Sequence, residues 1–453
     1  MAEFYLEDYM QTEKKNLDFN SVCETIQLAF DKEWASEKNP EKFLELQKRA
    51  ITGYAPEVEY FKLQIFECLK ERELEKTQFP KWYGSLPEAV FHENWGVAAI
   101  AEWFSEKYKD SSSAKIIGDR VYFMEDGQMV LKPQKISQKR REQLIRAFLL
   151  LTPGERLDKD FHEVYLLDGT RVTIFRRDMV KNGQDVIIFR RYIVPSYTFE
   201  EQALRGTIPR ESIKLFEAMA RLGYNVAFCG AVRTAKSTFL STWQSYENPK
   251  LEGVMVETDP ELPMQKLMPE APIVQLIADG EKLSSITKNL LRSDADYFIM
   301  AEARDGIALD TVLRIAAKGT RRLKITFHTG NPLSFAQDVA MEIVNSIGGS
   351  YEFTARRAAA SFDYVFSFVQ LADKSKKRLK SIYEQRFDSE SGEIKMMPVC
   401  EYDFERDKWI WYFNISEEKR KIGMQEDMWL YIQFENELKK LSESGGKGDK
   451  RKK

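Results

Sequence analysis

The sequence is poor in the residues that build metal centres and covalent cross-links. Its 453 residues include four cysteines and three histidines. The cysteines lie far apart and form no C-x-x-C pair, so neither a zinc site nor a disulfide framework is expected. These cysteines are Cys23, Cys68, Cys229 and Cys400. Unpaired cysteines are typical of a reducing compartment, and the pattern therefore predicts a cytoplasmic protein.

Long apolar runs and an excess of one charge are also missing. No run approaches the roughly 20 apolar residues that cross a bilayer, and the acidic first residues lack a signal-peptide pattern. Lys and Arg together number 68 and Asp and Glu 71, a formal net charge of −3. Such a balance gives no strong signal for nucleic-acid binding. We therefore expect an ordinary globular protein, with any membrane association peripheral.

The length predicts two or three domains, and the first is expected to be helical. Within residues 1–110, apolar side chains recur at helical spacing in two stripes, which we interpret as the core of a helical bundle. The first stripe is Phe19, Val22, Ile26 and Phe30, and the second is Tyr60, Leu63, Phe66 and Leu69. The polar, Ser-rich segment 107–113 predicts the end of this region.

The remaining chain divides by its patterns into four parts. Turn signals between short apolar runs predict an α+β N-domain at residues 111–192. Residues 193–206 show no period and are expected to be a linker. Strand and helix patterns then alternate over residues 207–425, as in a doubly wound α/β domain. Residues 426–453 predict a final helix and, from Ser442, a disordered basic tail. The tail can touch acidic lipid or nucleic acid, although a solubilising role is favoured.

One stretch of the α/β domain has the pattern of a phosphate-binding loop. A strand at Val226–Cys229 is followed by small residues and by a helix that opens at Lys236, Ser237 and Thr238. Loop amides and a helix N-terminus together bind anions, the lysine reaches terminal phosphates, and the serine ligates Mg²⁺. Ala235 stands where G-x-x-x-x-G-K-[ST] has its last glycine, and a positive φ there would cost about 1 kcal/mol. The alternative interpretation is an ordinary turn with a solvated lysine.

Three polar clusters follow other predicted strands of the same domain. They begin at Glu257, at Glu302 and at His328. In a parallel sheet the carboxyl ends of the strands meet at one crevice, so we expect these side chains beside the loop. Phosphoryl transfer needs a cation, a carboxylate-held metal and a group that orients water. Taken singly, such carboxylates are often helix N-caps, and a lone histidine is often a hydrogen-bonded filler.

The order of these motifs resembles the secretion ATPases of the type II/type IV superfamily, particularly the branch that powers tight-adherence pili and type IV secretion. The resemblance spans about residues 110–420. It includes Val121-Tyr122 with Gly127, the segments 168–172 and 189–191, the Walker A-like loop, an Asp box at Glu257–Leu262, Leu291-Arg292, a Walker B segment at Ile299–Gly306 and a His box at Thr326-Phe327-His328.

The resemblance implies a fold and a function. The fold would be a RecA-like P-loop NTPase domain preceded by the α+β N-domain and the helical region. The protein would be a hexameric ATPase motor for secretion, pilus assembly or conjugative transfer, docked on an integral membrane platform protein at the cytoplasmic face of the membrane. ATP and Mg²⁺ would bind between the two domains.

The resemblance also implies residue roles. Glu257 would be the general base, His328 would sense the terminal phosphate, and Ser237 with Glu302 would hold Mg²⁺. The loop residues that would bind nucleotide are Gly230, Arg233, Thr234, Ala235, Lys236, Ser237 and Thr238. The arginines Arg171, Arg190, Arg191 and Arg304 would also contact it, because a guanidinium forks onto phosphate oxygens.

Several positions depart from the family pattern. Arg233 and Ala235 replace two loop glycines, and Thr258 follows Glu257 where the family has Asp. The acid of the Asp box is displaced by one residue to Asp259. Asp305 replaces a glycine after the Walker B arginine, and Thr329-Gly330 follows His328 where the family has Ala-Asn. These departures support ATP binding more than fast hydrolysis, and they leave open a nucleotide-binding ring protein with little turnover and a regulatory or structural role. A nucleic-acid-binding protein that uses the Lys-rich tail is a further alternative, disfavoured by the near-neutral charge.

Overall fold

A computed structural model describes residues 18–36, 40–51, 53–150, 159–166, 168–191, 193, 198–258, 260, 262, 264–388 and 390–446. These residues form two compact units that meet between residues 193 and 194. The first unit has five α-helices in its described part: α1 (Phe19–Ser36), α2 (Pro40–Ile51), α3 (Ala55–Glu71), α4 (Leu86–Asn94) and α5 (Gln138–Leu150). Its strands are β1 (Ser113–Ile117), β2 (Arg120–Glu125), β3 (Gln128–Lys135), β4 (Phe161–Tyr165), β5 (Arg171–Phe175) and β6 (Val186–Arg190).

The helical bundle confirms one predicted stripe and corrects the other. Val22, Ile26 and Phe30 of α1 are buried, as expected. On α3, however, Tyr60, Leu63 and Phe66 are 42%, 61% and 50% exposed. The residues that α3 buries are Phe61, Ile65 and Leu69. At about 100° per residue, three steps of three residues turn by about 900°, which places residues 60 and 69 on opposite sides of the helix.

The six strands of the first unit form one sheet in the order β3-β2-β1-β6-β5-β4, with antiparallel neighbours throughout. The predicted turns at Gly118 and Gly127 are confirmed, with φ of +63° and +78°. Trp103 is fully buried, and its ring lies 6.2 Å from that of Phe189 in the sheet. The predicted boundary at residues 107–113 therefore divides residues that share one core, and the helical region and the α+β region form a single unit.

The second unit contains a nine-stranded sheet and ten described α-helices. Its strands are β7 (Val226–Gly230), β8 (Gly253–Glu257), β9 (Ile273–Ile277), β10 (Tyr297–Ala303), β11 (Lys324–Phe327), β12 (Tyr364–Gln370), β13 (Lys377–Phe387), β14 (Ile394–Asp403) and β15 (Lys408–Trp411). The helices are α6 (Phe199–Leu204), α7 (Ile213–Arg221), α8 (Lys236–Ser245), α9 (Met264–Leu267), α10 (Gly280–Leu290), α11 (Gly306–Ala317), α12 (Phe335–Ile347), α13 (Tyr351–Ser361), α14 (Glu417–Glu426) and α15 (Met428–Gly446).

The strand order is β15-β14-β13-β12-β7-β11-β10-β8-β9. Pairing is parallel from β12 across to β9 and antiparallel from β12 to β15. All five residues of β7 are buried. Phe228 contacts Phe239 and Trp243 of α8, whereas Cys229 belongs to the apolar cluster on the other face. The strand is thus covered on both faces, which explains its continuous apolar sequence.

Three predictions for this unit are corrected, two of them boundaries and one a missing strand. The expected linker 193–206 contains α6, which begins with a capping box of Thr198 and Glu201 and buries Phe199. The sequence analysis missed β14, whose Pro398 pairs beside a register shift, where a strand tolerates proline. The final helix was expected to end near Leu441, but α15 continues to Gly446. The rest of the predicted tail, residues 447–453, lies outside the described residues.

Candidate functional site

The phosphate-type loop and the three predicted polar clusters lie at one edge of the parallel sheet. Strands β8, β10, β11 and β7 are successive neighbours and run in the same direction. Glu257 ends β8 and pairs in register with Ala301, just before Glu302. Phe327, just before His328, pairs with both Ala303 and Cys229. The parallel sheet therefore brings the carboxylates, the imidazole and the loop after β7 to one rim, as the sequence predicted.

The loop after β7 has the backbone that a glycine-rich phosphate loop requires. Gly230 has a φ of +143°, and a Cβ there would lie 2.5 Å from the Phe368 carbonyl oxygen. Arg233 and Ala235 have φ of +66° and +73°, although neither is glycine. The prediction of positive φ at Ala235 is confirmed. A side chain in this conformation costs about 1 kcal/mol or more, so both residues keep the loop shape at the expense of stability. Backbone amides in such alternating conformations form concave anion sites.

The first turn of α8 adds donors to this concavity. Its N-cap is Ala235, which has no side-chain oxygen to bind the first helical amides. The Thr234 side chain is buried, and its hydroxyl donates a hydrogen bond to the Ala231 carbonyl at 2.9 Å, which braces the loop. Ser237 and Thr238 lie in the first turn and are half-buried. Unpaired helix amides and the positive end of the helix dipole favour an anion at this position.

Lys236 folds back onto the loop that precedes it. The residue is 6% exposed. Its Nζ donates to the carbonyl oxygens of Gly230 at 3.0 Å and Ala231 at 2.8 Å. The same Nζ lies 3.3 Å from Nδ1 of His328. The lysine is therefore not solvated, as the alternative interpretation of the loop would require.

His328 connects the lysine to Glu302. An ammonium group can only donate, so Nδ1 of His328 accepts from Lys236. Nε2 lies 3.4 Å from Oε1 of Glu302, which as a carboxylate can only accept. Both contacts are satisfied by one neutral tautomer, with the hydrogen on Nε2. The other carboxylate oxygen of Glu302 accepts from Nη2 of Arg304 at 2.5 Å. A continuous chain of contacts thus runs from β7 across β11 to β10.

The Glu302 carboxyl is held as an anion. Burial acts to raise its pKa, but hydrogen bonds from His328 and Arg304 and the charge of Arg304 outweigh burial and lower that pKa to about 2. The carboxylate is therefore ionised throughout the physiological range. A permanent anion at the end of β10 is a suitable partner for a cation or for a polarised water.

Thr326 positions Glu302, and the sequence analysis did not identify it as a site residue. Glu302 has a φ of +68°, at a register shift of β10 between Met300 and Ala303. Its amide donates to the Thr326 hydroxyl at 2.9 Å, and Thr326 is buried. The hydroxyl thus replaces a ladder hydrogen bond that the irregular strand lacks. The sequence signal was its place in the His box, directly before Phe327.

Two residues that depart from the family pattern have structural roles here. Asp305 is the N-cap of α11, and its Oδ1 accepts from the Ala308 amide at 2.8 Å. The hydroxyl of Thr329, which follows His328, donates to Asp338 at 2.5 Å in α12. Both substitutions anchor the segment after a strand end, and neither removes a member of the chain from Lys236 to Glu302.

Glu257 is buried, and its Oε1 accepts a hydrogen bond from the Leu262 amide at 2.8 Å. This contact orders the segment that follows β8. Glu257 stands on the strand next to that of Glu302, so its position at the rim agrees with the prediction, while its role as a base stays a prediction. Asp259, the displaced acid of the Asp box, lies outside the described residues.

The predicted arginines of the N-domain belong to the first unit. Arg171 forms an ion pair with Glu163, with Nε 3.2 Å from Oε1. Arg191 donates to the carbonyl oxygens of Trp103, Tyr108 and Ser111, and its guanidinium lies over the Trp103 ring. Arg190 ends β6 and is exposed. The predicted contact of these three arginines with nucleotide stays a prediction.

The donor atoms at the rim fit ATP with Mg²⁺. The Ser237 hydroxyl and the Glu302 carboxylate are hard oxygen ligands, which Mg²⁺ prefers. Within the described part of the chain, no group of three or more His, Cys, Asp or Glu residues is placed to hold a metal. Mg²⁺ commonly uses one or two protein oxygens together with substrate phosphates, so the pair is sufficient. No helix among the described residues is both long and apolar enough to cross a membrane.

Comparison with known proteins gives structural similarities only. No protein-family model matches the sequence, and no curated protein does. Three solved ATPase structures are similar to this chain. They are VirB11 of the Brucella suis type IV secretion system (15% identity, TM-score 0.34, 64% of this chain and 93% of that chain), DotB of Legionella pneumophila (16%, 0.47, 81% and 90%) and the pilus retraction motor PilT with bound ADP (15%, 0.44, 74% and 90%).

VirB11 and DotB are named as ATPases, VirB11 belongs to a type IV secretion system, and PilT is a pilus retraction motor. The identities are at most 16% and the TM-scores lie below 0.5. Similarity at this level shows no residue role, activity or partner for this chain.

Proposed function

We propose that this protein binds ATP at the loop after β7 and hydrolyses it as the motor of a secretion, pilus-assembly or conjugative transfer system. The observation that carries the proposal is the chain of contacts from Lys236 through His328 to Glu302, built on three adjacent parallel strands beside a strained loop. Backbone strain at non-glycine residues is typical of functional sites, since folding alone gives no reason to keep it.

Each residue at the rim has a separate proposed role in binding ATP and Mg²⁺. Lys236 would exchange the carbonyl oxygens of Gly230 and Ala231 for phosphate oxygens, which are stronger acceptors because they are charged. His328 contacts both Lys236 and Glu302, so a movement of the lysine would be transmitted to the carboxylate. Glu302 stays ionised at neutral pH and would hold the metal with Ser237. Bound Mg²⁺ would neutralise charge on the phosphate oxygens during transfer to water.

Glu257 is proposed as the general base. A base must lie within hydrogen-bond reach of the water that it activates, either directly or through one bridging water. Glu257 stands one strand from Glu302, about 5 Å in the direction of the ladder. Its hydrogen bond to the Leu262 amide fixes the carboxylate at the end of β8.

The assembly is proposed to be a hexameric ring docked on an integral membrane platform protein at the cytoplasmic face, with peripheral membrane association. In this arrangement the α/β unit is RecA-like, and Arg171, Arg190 and Arg191 of the first unit close onto the nucleotide. Arg190 is the exposed member of the three, and so it is the first candidate for such a contact. Sedimentation velocity with and without ATP would test the ring, and a monomer at all ATP concentrations would contradict it.

A second candidate is a ring protein that binds nucleotide and turns it over slowly. This candidate is favoured because both proposed catalytic carboxylates already accept hydrogen bonds within the protein. Glu257 accepts from the Leu262 amide, and Glu302 accepts from Arg304. Thermal stabilisation by ATP without phosphate release would support this alternative. Rapid phosphate release would exclude it.

An ATPase assay on three variants tests the first proposal. We expect Lys236→Ala to lose nucleotide binding and Glu257→Gln to bind ATP but release little phosphate. Lys250→Ala, an exposed lysine in the loop before β8, is the matched control and should behave as wild type. Equal phosphate release by all four proteins would refute the enzymatic proposal. Loss of release in the Lys250 variant alone would place the site elsewhere.

A further inference from the structure

A second candidate site lies in the first unit and contains no residue of the ATP site. A cavity of about 190 Å³, partly open to solvent, is lined by residues of α1, α2, α5 and the end of α4. Its wall includes Gln27, Asp31, Gln47, Trp95, Arg140 and Gln143. Since liquid water occupies about 30 Å³ per molecule, this volume corresponds to about six waters, or to one small organic molecule.

Three charged residues line this wall: Asp31 is exposed, Lys48 is half-buried and pairs with Glu45, and Arg140 is buried. Arg140 is 9% exposed. Its Nη2 donates to the carbonyl oxygens of Gly96 at 2.6 Å and His92 at 3.1 Å. Burial lowers the pKa of the guanidinium to about 10, so Arg140 remains a cation at neutral pH. A buried cation of this kind normally has an acidic partner, because desolvation costs several kcal/mol.

The hydrogen-bonding capacity of Arg140 is only partly used. Nε is buried and has no hydrogen-bond partner among the described residues. Glu93 is the carboxyl group with the largest electrostatic influence on Arg140, and it accepts a hydrogen bond from the Tyr83 hydroxyl at 2.5 Å. No salt bridge between Arg140 and a carboxylate occurs within the described ranges. A purely structural arginine that ties residues 92–96 to α5 would need Nη2 alone, so its remaining donors are unexplained.

Amide side chains from three helices line the same cavity as Arg140. Gln27 projects from α1, Gln47 from α2 and Gln143 from α5, and all three line the cavity. Asn94 at the end of α4 also lines it, and its Nδ2 donates to the Cys23 carbonyl at 2.8 Å. Carboxamides both donate and accept, so they suit a polar ligand with several oxygens. Ile51 and Ala147 add apolar wall, as is usual for a small-molecule site.

We propose that this cavity binds a small anionic metabolite whose phosphate or carboxylate group contacts Arg140. An N–H of the guanidinium can donate a charge-assisted hydrogen bond to either oxyanion, so the oxyanion is the chemistry that the two groups share. The carboxamides would bind its remaining polar atoms. The site would be independent of ATP, since all of its wall residues belong to the first unit.

Thermal unfolding of the full chain in the presence of sodium phosphate or sodium succinate tests the proposal. Sodium chloride at matched ionic strength is the reference. At an anion concentration about ten times the Kd, ligand linkage predicts a rise of about 3 °C in Tm for a unit of this size. A rise with phosphate alone identifies a phosphate ligand, and a rise with succinate alone identifies a carboxylate.

Three variants locate the binding. Ala147→Leu fills the cavity without touching the contacts of Arg140 and should abolish the shift. Arg146→Ala, an exposed neighbour on α5, is the matched control and should keep it. Lys236→Ala should also keep it, which separates this cavity from phosphate bound at the ATP loop. If Ala147→Leu fails to fold, Gln143→Ala should reduce the affinity about tenfold while preserving the fold.

The proposal is overturned by any of three results. The first is that neither anion raises Tm above the chloride reference. The second is that the shift is the same in Ala147→Leu and in wild type. The third is that the shift disappears in Lys236→Ala. The last outcome would mean that the anion binds only at the loop after β7. It would leave the ATP proposal intact.

Discussion

Two buried lysines of the α/β unit show how a site differs from a structural contact. Lys324 is 1% exposed and lies 3.0 Å from Glu247, which is bound as well by Arg322. Lys236 is 6% exposed and donates to two carbonyl oxygens and an imidazole. Lys324 begins β11, at the amino end of that strand, and its partner Glu247 carries a full charge. These acceptors of Lys236 are uncharged carbonyl oxygens and an imidazole, and they lie at the carboxyl rim.

The difference follows from what each lysine must do. Burial acts to raise the pKa of Glu247, but the charges of Lys324 and Arg322 outweigh burial, and the pKa is lowered. Glu247 is therefore an anion bound by two cations. Such a contact is costly to break because it leaves a buried charge. Neutral acceptors bind an ammonium less strongly than a carboxylate does. A phosphate can therefore replace the two carbonyl oxygens and the imidazole as an acceptor for Lys236.

The first prediction compares how alanine at each lysine changes ATP turnover and the free energy of unfolding. We expect Lys236→Ala to reduce ATP turnover by about 10²-fold or more, while the free energy of unfolding changes by about 1 kcal/mol or less. Lys324→Ala should lower the free energy of unfolding by about 3–5 kcal/mol, since Glu247 is left buried without its lysine. Urea unfolding and phosphate release measure the two effects. The comparison fails if Lys236→Ala is the more destabilising of the two variants.

The second prediction concerns the backbone of Glu302. Thr326→Val removes the hydroxyl that binds the Glu302 amide and keeps the shape of the side chain. An unsatisfied buried amide costs about 1–3 kcal/mol, and we expect the positive φ of Glu302 to relax, with a fall of about tenfold in kcat and little change in KM. Thr326→Ser keeps the hydroxyl and is the control. Equal kcat in the valine and serine variants would assign Thr326 to packing alone.

The third prediction follows from the pKa of Glu302. A depressed carboxyl pKa stabilises the folded state above the unfolded value, about 4.5, and this contribution is lost as pH falls toward about 2. Arg304→Gln removes one cause of the shift, so the pKa should rise toward 4.5. The difference in unfolding free energy between wild type and the variant should be constant above pH 5 and shrink below pH 4.5. A difference that grows on acidification would contradict the assignment.

The smallest effect is expected in the loop. Ala235→Gly removes a Cβ from a residue with a φ of +73° and should stabilise the folded state by about 1 kcal/mol, as measured by urea unfolding. Arg233→Gly should act in the same direction. Ala316→Gly, in the last turn of α11, is the control and should destabilise the folded state, because glycine loses more backbone freedom than alanine in a helix. Destabilisation by Ala235→Gly would mean that packing of the Ala235 methyl group outweighs the strain of the positive φ.

The site was more predictable than the domain boundaries. Lys236, Glu302 and His328 follow strong strand patterns, and a parallel sheet must bring such positions to one edge. The helical stripe at Tyr60 was misplaced, because a step of three residues drifts around an α-helix. The boundary at residues 107–113 was wrong, because burial of Trp103 against the sheet depends on contacts distant in sequence.

Sequence alone determined the alternation of strands and helices, the phosphate-type loop and the order of polar residues behind the strands, because these depend on local periodicity and turn chemistry. Tertiary structure decided which groups meet: the carbonyl oxygens that hold Lys236, the Thr326 hydroxyl beneath Glu302 and the cavity beside Arg140. Each of these contacts joins residues from different elements. Distances between elements are set by packing of the whole core, which no local pattern records.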